Sequence, residues 1–249
     1  MTSFWHVTPA FQNTAAADIF PTIDAAFTVN GEFITASPIN RVIKVKTKQK
    51  VFYVKTYSAG GKKLKRWFGR SRVRAEWENL FFFQALKIPF PPVVAFGQQV
   101  CCGVFKKGAL ITLEVPNTRD LADLHKTNHP LLNDRQWVEN VSKQVACYTR
   151  RIHQKRFGHV DLKWRNILVT TAEPPRVFFI DCPAGRIRKG PGLERWIVKD
   201  IACLDKVAKL RLSQTQRLQF YMTYCQSQYL ESRHKRRINK ILKFFEGRE

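Results

Sequence analysis

The chain has 249 residues, 44% of them apolar and 19 of them phenylalanine, enough to bury one large core or two small ones, which excludes disorder through most of its length. Its 43 Lys and Arg against 19 Asp and Glu give a formal net charge of +24, and residues 1–40 contain no Lys or Arg, so the basic surface begins at Arg41. Such a surface attracts nucleic acid, anionic lipid or phosphorylated sugar, and charge alone does not choose among them.

Six cysteines are scattered without C-x-x-C spacing, which excludes the common zinc and dithiol motifs and points to thiols in a reducing compartment. The most apolar stretch, Leu80–Phe96, is broken by Gln84, Lys87 and three prolines, so it cannot span a bilayer. The N-terminus lacks the basic and apolar regions of a signal peptide. A cytoplasmic protein, free or peripheral to the inner membrane, is the expectation.

Residues 1–40 show no clear period and read as a variable lead-in. Residues 41–46 and 51–57 are rich in β-branched and aromatic side chains around the polar turn 47–50, which predicts an antiparallel hairpin. Val73, Trp77, Leu80, Phe81 and Gln84 recur at helical spacing and predict a helix over 71–87, ended by Pro89, Pro91 and Pro92. Strands follow at 93–96 and 109–115, and Pro116-Asn117 marks a hinge. Beyond it a long amphipathic helix over 136–155 precedes a loop at 159–166, strands at 167–169 and 177–180, and helices at 196–210 and 214–246. Strands with one helix first and helices second predict an α+β, two-lobed plan, with an N-lobe over 41–115 and a C-lobe over 116–249.

The stretch His159-Val-Asp-Leu-Lys-Trp-Arg-Asn-Ile-Leu-Val169, then Val177-Phe-Phe-Ile-Asp181, carries the chemistry. A carboxylate on a tight loop, Asp161, can orient a hydroxyl and take its proton. Hard cations take oxygen ligands, and Asn166 and Asp181 supply them beside two strands that hold them rigidly. Lys163, two residues after the base, can screen a transferring phosphate. Upstream, Lys55 lies on the second strand of the hairpin, where an inward ammonium can hold nucleotide phosphates. Its carboxylate partner should come from the following helix. Glu76, three after Val73 and four before Leu80, borders the buried stripe, whereas Glu78 points away.

In this order, Val-Lys55, Ala-Glu76-Trp, Leu-Ile-Thr-Leu-Glu114, His-Val-Asp161-Leu-Lys-Trp-Arg-Asn166, Phe-Ile-Asp181 and Lys-Asp200-Ile-Ala, the chain resembles the protein-kinase-like superfold over roughly residues 41–225. Within it, Asp-Leu-Lys-Trp-Arg-Asn and Ile-Asp-Cys-Pro-Ala-Gly are most similar to the lipopolysaccharide kinases of the Kdo/WaaP family. The resemblance implies ATP and Mg2+. It implies Lys55 on nucleotide phosphate with Glu76 pairing it, Glu114 in the hinge lending backbone groups to adenine, Asp161 as catalytic base, and Asn166 and Asp181 as metal ligands. It further implies Asp200 as a helix acid bracing the catalytic loop, and a sugar of the lipopolysaccharide inner core, heptose or Kdo, as acceptor.

The departures are informative. No G-x-G-x-x-G precedes the hairpin, Cys182-Pro183 follows Asp181, Val160 replaces the arginine that reads a phosphorylated activation loop, and only 18 residues separate Asp181 from Asp200. A small hydroxyl acceptor fits this short segment better than a docked peptide. A protein or small-molecule kinase of the same superfold and a non-catalytic polyanion-binding relative are the alternatives; with no nucleic-acid module present, nucleic acid is not the expected partner. Two basic clusters suit an anionic inner leaflet. One is Lys62, Lys63, Lys65, Arg66, Arg70, Arg72 and Arg74 around Trp67-Phe68. The other is Arg233, Lys235, Arg236 and Arg237 ahead of Ile238, Ile241, Leu242 and Phe245, a stripe that either meets lipid or packs on its own domain.

Overall fold

The computed structural model describes residues 2–61, 69–190 and 192–247. The chain divides into two compact units, Met1–Phe81 with Pro91–Val115, and Phe82–Phe90 with Pro116–Glu249.

The first unit is built on an antiparallel sheet of β1 (Thr2–Val7), β2 (Glu32–Ser37), β3 (Asn40–Lys46), β4 (Val51–Tyr57), β5 (Val93–Cys101) and β6 (Val104–Leu113), in the order β1-β5-β6-β4-β3-β2. The hairpin expected over 41–57 is β3 with β4, its turn tied by the Thr47 hydroxyl, which donates to the Lys50 carbonyl and accepts from the Lys50 amide. The two short strands expected at 93–96 and 109–115 are the inner halves of a longer hairpin, β5 with β6. Cys102 and Gly103, at φ 49° and 76°, turn the chain between them. The outer halves are half-exposed and interrupted by Gln98, Gln99, Lys106 and Lys107, so the continuous apolar pattern stops before the strands do.

Residues 1–40 are not a lead-in ahead of the fold. They supply β1, β2 and two short helices, α1 (Ala15–Ile19) and α2 (Ile23–Thr28), capped by the hydroxyls of Thr14 and Thr22. Phe11, Ala16, Phe20 and Ala26 are buried in one cluster with Ile43, Val45, Phe52, Val54 and Ile111 of the sheet. Helices of five and six residues are too short to display a 3.6-residue period, so only tertiary packing reveals them. β1 pairs with β5 with Trp5 opposite Gly97. A Cβ on Gly97 would lie 2.1 Å from the Phe4 carbonyl oxygen, so the pairing depends on the missing side chain.

The next helix, α3 (Arg72–Ala85), buries Val73, Trp77 and Leu80, with the Trp77 ring 5.1 Å from that of Phe96. The Ser71 hydroxyl accepts the Arg74 amide at its start. Residues 62–68, the first part of the expected basic cluster, lie outside the described residues.

The second unit contains α4 (Leu121–Lys126), α5 (Arg135–Gln154), α6 (Leu193–Ala208), α7 (Gln214–Cys225) and α8 (Ser232–Leu242). Its two small sheets join β7 (Thr118–Asp120), β9 (Ile167–Thr170) and β10 (Val177–Phe179), and β8 (Phe157–Gly158) with β11 (Arg186–Ile187). The single helix expected over 214–246 is two. Gln226 adopts φ 52° and ends α7, and a reciprocal Glu231–His234 capping box opens α8. Both helices turn apolar side chains to one core, Tyr221, Tyr224 and Ile241 packing with Ile197, Val198 and Ile201, which is why the spacing reads as continuous. Ile238, Phe244 and Phe245 join that core. Of the apolar stripe, Ile238, Ile241 and Phe245 therefore pack on their own unit, while Leu242 is 51% exposed, as Arg233, Lys235, Arg236 and Lys240 are also exposed. Among the described residues no helix is long and apolar enough to cross a membrane.

Candidate active site

In the first unit, β4 carries Lys55 and Tyr57 on one face, two residues apart, and α3 carries Glu76 opposite them. Lys55 Nζ lies 3.0 Å from Glu76 Oε1, with side-chain exposures of 15% and 5%. The Tyr57 hydroxyl donates to Glu76 Oε2, and Lys55 Nζ sits 5.6 Å from the Tyr57 ring centroid. Both carboxylate oxygens are thus used, which fixes the rotamer and holds the ammonium in place. Glu78 is on the surface, ion-paired to Arg70 at 2.6 Å and Arg74 at 2.7 Å. Tyr57 was not anticipated, although its period-two relation to Lys55 is visible in the sequence.

Glu114 follows β6. Its carboxylate accepts from Lys44 Nζ at 2.7 Å and from the Tyr53 hydroxyl at 3.3 Å, and its amide donates to the Val51 carbonyl. The pair with Glu114 raises the Lys44 pKa, while burial raises that of Tyr53. With side chain and amide engaged, the carbonyl is the group Glu114 has to offer a ligand.

In the second unit, antiparallel pairing of β9 and β10 places Ile167 opposite Phe179. The residues flanking that pair, Asn166 and Ile180, are joined by the Ile180 amide donating to the Asn166 carbonyl at 3.0 Å, and Asp181 comes next. One short register therefore brings together two oxygen donors 15 positions apart in sequence. Asn166 Nδ2 donates to the Asp161 carbonyl at 2.8 Å, which commits the amide nitrogen and leaves the amide oxygen as the donor atom for a cation. Lys163 Nζ lies 2.6 Å from Asp161 Oδ1, and Arg165 adds a second cation at 3.7 Å from Oδ2.

The loop is held from beneath. Asp200, fully buried on α6, accepts the amides of His159 and Val160 at 2.7 Å each, and its Oδ2 lies 3.3 Å from His153 Nε2. His153 Nδ1 meets the Tyr224 hydroxyl at 2.9 Å. Trp164 Nε1 donates to the Leu204 carbonyl at 2.9 Å, pinning the far side of the loop. His153 and Tyr224 carry no motif, and only the fold brings them to Asp200. Val160 and Asp181 both lie in the left-handed region, at φ 70° and 56°. For a β-branched residue beside Asp161 this is a real conformational cost, and Asp200 binding the Val160 amide helps to offset it. His159 is buried between Phe83 and Phe179, and burial lowers its pKa against the opposing pull of Asp200, Asp181 and Asp161. Burial thus favours the neutral imidazole, packed as a core group.

A tight loop carrying an acid, braced by a buried helix carboxylate, beside an Asn and an Asp just past a strand, is the arrangement that a protein-kinase-like phosphotransferase would need. The lipopolysaccharide kinase (Kdo/WaaP) family model matches residues 28–224, and the chain belongs to that family. A solved structure described as WaaP in complex with acyl carrier protein superposes with a TM-score of 0.76 at 18% identity, covering 98% of this chain and 96% of that one. A comparison with curated proteins found no match.

Proposed function

We propose that the chain transfers the γ-phosphate of ATP to a sugar hydroxyl of the lipopolysaccharide inner core, heptose or Kdo. The observation that carries this reading is the convergence of Asp161, Asn166 and Asp181 around one braced loop. Asp161 orients the acceptor hydroxyl and takes its proton, and Lys163, which pairs with it at 2.6 Å, shifts to the incoming phosphate. Magnesium would be held by the Asn166 amide oxygen and the Asp181 carboxylate, hard donors that suit it, and would neutralise phosphate charge. Lys55, kept in place by Glu76 and Tyr57, binds nucleotide phosphate, and the Glu114 carbonyl meets adenine. The 18 residues between Asp181 and Asp200 favour a compact acceptor over a docked peptide.

The second unit also holds a cavity of about 450 Å³ lined by Leu121, Leu132, Trp137, Val141, Leu204 and Tyr221 among others. The similar WaaP structure was obtained in complex with acyl carrier protein, and we propose such a carrier protein as a partner of this chain as well.

Incubation with ATP-Mg and truncated lipopolysaccharides, with mass spectrometry of the product, tests the activity. One added phosphate is expected, and it is lost in Asp161→Ala and Asp181→Ala, the base alone being worth about 10²–10⁴-fold. Unchanged transfer in both variants would remove the assignment.

A further inference from the structure

We propose that the β2–β3 hairpin holds the nucleotide's phosphates with side chains: the hydroxyls of Thr35 and Ser37 and the carboxamide of Asn40. They take the place of the backbone amides that a glycine-rich loop would supply. The proposal rests on the ATP-dependent reading and fills the gap left by the missing G-x-G-x-x-G. Directly opposed residues of antiparallel strands share a face. β4 pairs with β3 with Lys55 opposite Val42 and Tyr57 opposite Asn40. β3 pairs with β2 with Val42 opposite Thr35 and Asn40 opposite Ser37. Thr35, Ser37 and Asn40 therefore stand on the face of Lys55, with Thr35 two strand spacings, about 10 Å, away. A triphosphate bridges that distance. Helix α3 covers the same face at its far end, where Trp77 and Phe81 meet Phe96, while Thr35 and Ser37 are exposed and Asn40 is half-buried.

A β-bulge decides which side chains of β2 face Lys55. The register shifts between Phe33 and Thr35, so that Phe33 opposes Ile43, Thr35 opposes Val42, and Ile34 is the extra residue. Uninterrupted alternation would put Ile34 and Ala36 on the Lys55 face; the bulge puts Thr35 and Ser37 there instead. Two apolar side chains are thereby exchanged for two hydroxyls on the face that carries the proposed phosphate ligand.

The backbone of the turn has little to offer an anion. Pro38 lacks an N–H, and the Ile39 and Asn40 amides both turn back to the Ser37 hydroxyl oxygen, at 3.4 and 3.3 Å. A hydroxyl that accepts twice still has its own proton to donate, so Ser37 can direct it at a phosphate oxygen. The Thr35 hydroxyl and the Asn40 carboxamide nitrogen add two more donors on the same face. The turn is anchored, the Ser58 amide donating to the Ile39 carbonyl at 3.1 Å and the Ile39 side chain being buried. Donors held this way lose little freedom when a ligand binds. All three are neutral, so they add hydrogen bonds without repelling the Lys55 ammonium.

The probes are ATP, tripolyphosphate and adenosine, each titrated calorimetrically into the full chain with Mg2+ at physiological salt and without acceptor. Thr35→Val keeps the shape and removes the hydroxyl; Asn40→Asp keeps the shape and sets an anion where a donor stood. Each should weaken ATP and tripolyphosphate about tenfold or more and leave adenosine unchanged. Thr35→Ser, which retains the hydroxyl, should recover most of the binding. Ala36→Ser, on the opposite face, should leave all three probes as in the wild type. No loss with tripolyphosphate would overturn the proposal, as would an equal loss with adenosine, the mark of a disturbed fold. Tripolyphosphate binding that depends on Thr35 and Asn40, in a protein that transfers no phosphate, would uphold the site and sink the kinase reading. Transfer from ATP with binding indifferent to both residues would do the reverse.

Discussion

Lys55 and Glu76 form a buried ion pair, whereas Glu78, two residues on, is a surface acid between two arginines. Removing one partner of a buried pair typically costs about 3–5 kcal/mol, against about 0–1 kcal/mol for an exposed one. Glu76→Gln should therefore lower kcat/KM for ATP by at least about tenfold, a loss of only about 1.4 kcal/mol, while Glu78→Gln leaves it near wild type. Steady-state kinetics with varied ATP separate the two, and a larger loss at Glu78 would sink the assignment. Helical phase makes this choice legible in the sequence; the grip of Tyr57 on the same carboxylate emerges only when β4 and α3 are packed. His159 provides a second residue-scale test. Its pKa is lowered by burial from the ordinary 6.5, so the unfolded chain binds its proton first as the pH falls. Its contribution to stability is complete above about pH 6.5 and is lost as the pH falls below that value towards the lowered one, at up to about 1.4 kcal/mol per pH unit. Urea denaturation from pH 7.5 to 5 should show this slope in the wild type and a shallower one in His159→Phe.

At the scale of elements, the proposed catalytic loop is a product of register and bracing. β9 and β10 are four and three residues long, yet their pairing alone sets Asn166 beside Asp181. Asp200 closes the loop from α6, an acid that the motif order suggested but whose two amide bonds only the fold supplies. The same dependence on pairing governs the N-terminal strand. Gly97→Ala places a methyl against the Phe4 carbonyl, so β1 must shift. Overpacking of this kind costs about 1–3 kcal/mol, and urea midpoints should fall accordingly. Gly103→Ala, whose Cβ would meet open space, pays only for its positive φ and should lose less. Equal losses at the two glycines would mean that β1 adds little to the sheet.

For the molecule as a whole, the concentration of every Lys and Arg beyond residue 40 remains the dominant surface property. We propose that it holds the protein at an anionic leaflet. With Ile238, Ile241 and Phe245 packed in the core, α8 offers its basic outer face and only Leu242 of the expected apolar stripe. Attachment should then be electrostatic, about 1 kcal/mol per basic residue near the surface, screened over about 8 Å at physiological salt. Co-sedimentation with anionic vesicles at low salt, released by high salt and absent with neutral lipid, is the expected result. A salt-resistant fraction would contradict the packing of α8.

The sequence by itself determined the lobed α+β plan, the central hairpin, the helices α3, α5 and α6, and the choice of residues proposed for phosphotransfer. These are local: periodicity runs along one element, and Asp161, Lys163 and Asn166 share one loop. Tertiary structure alone decided the rest. Residues 1–40 join the sheet because long-range strand pairing and Phe11 and Phe20 burial stabilise helices too short to announce themselves. α7 and α8 separate because one backbone turn at Gln226 leaves the apolar spacing unchanged. His153, Tyr224 and Trp196 acquire their partners because folding joins α5, α6, α7 and β8, and no spacing along the chain encodes distance in space.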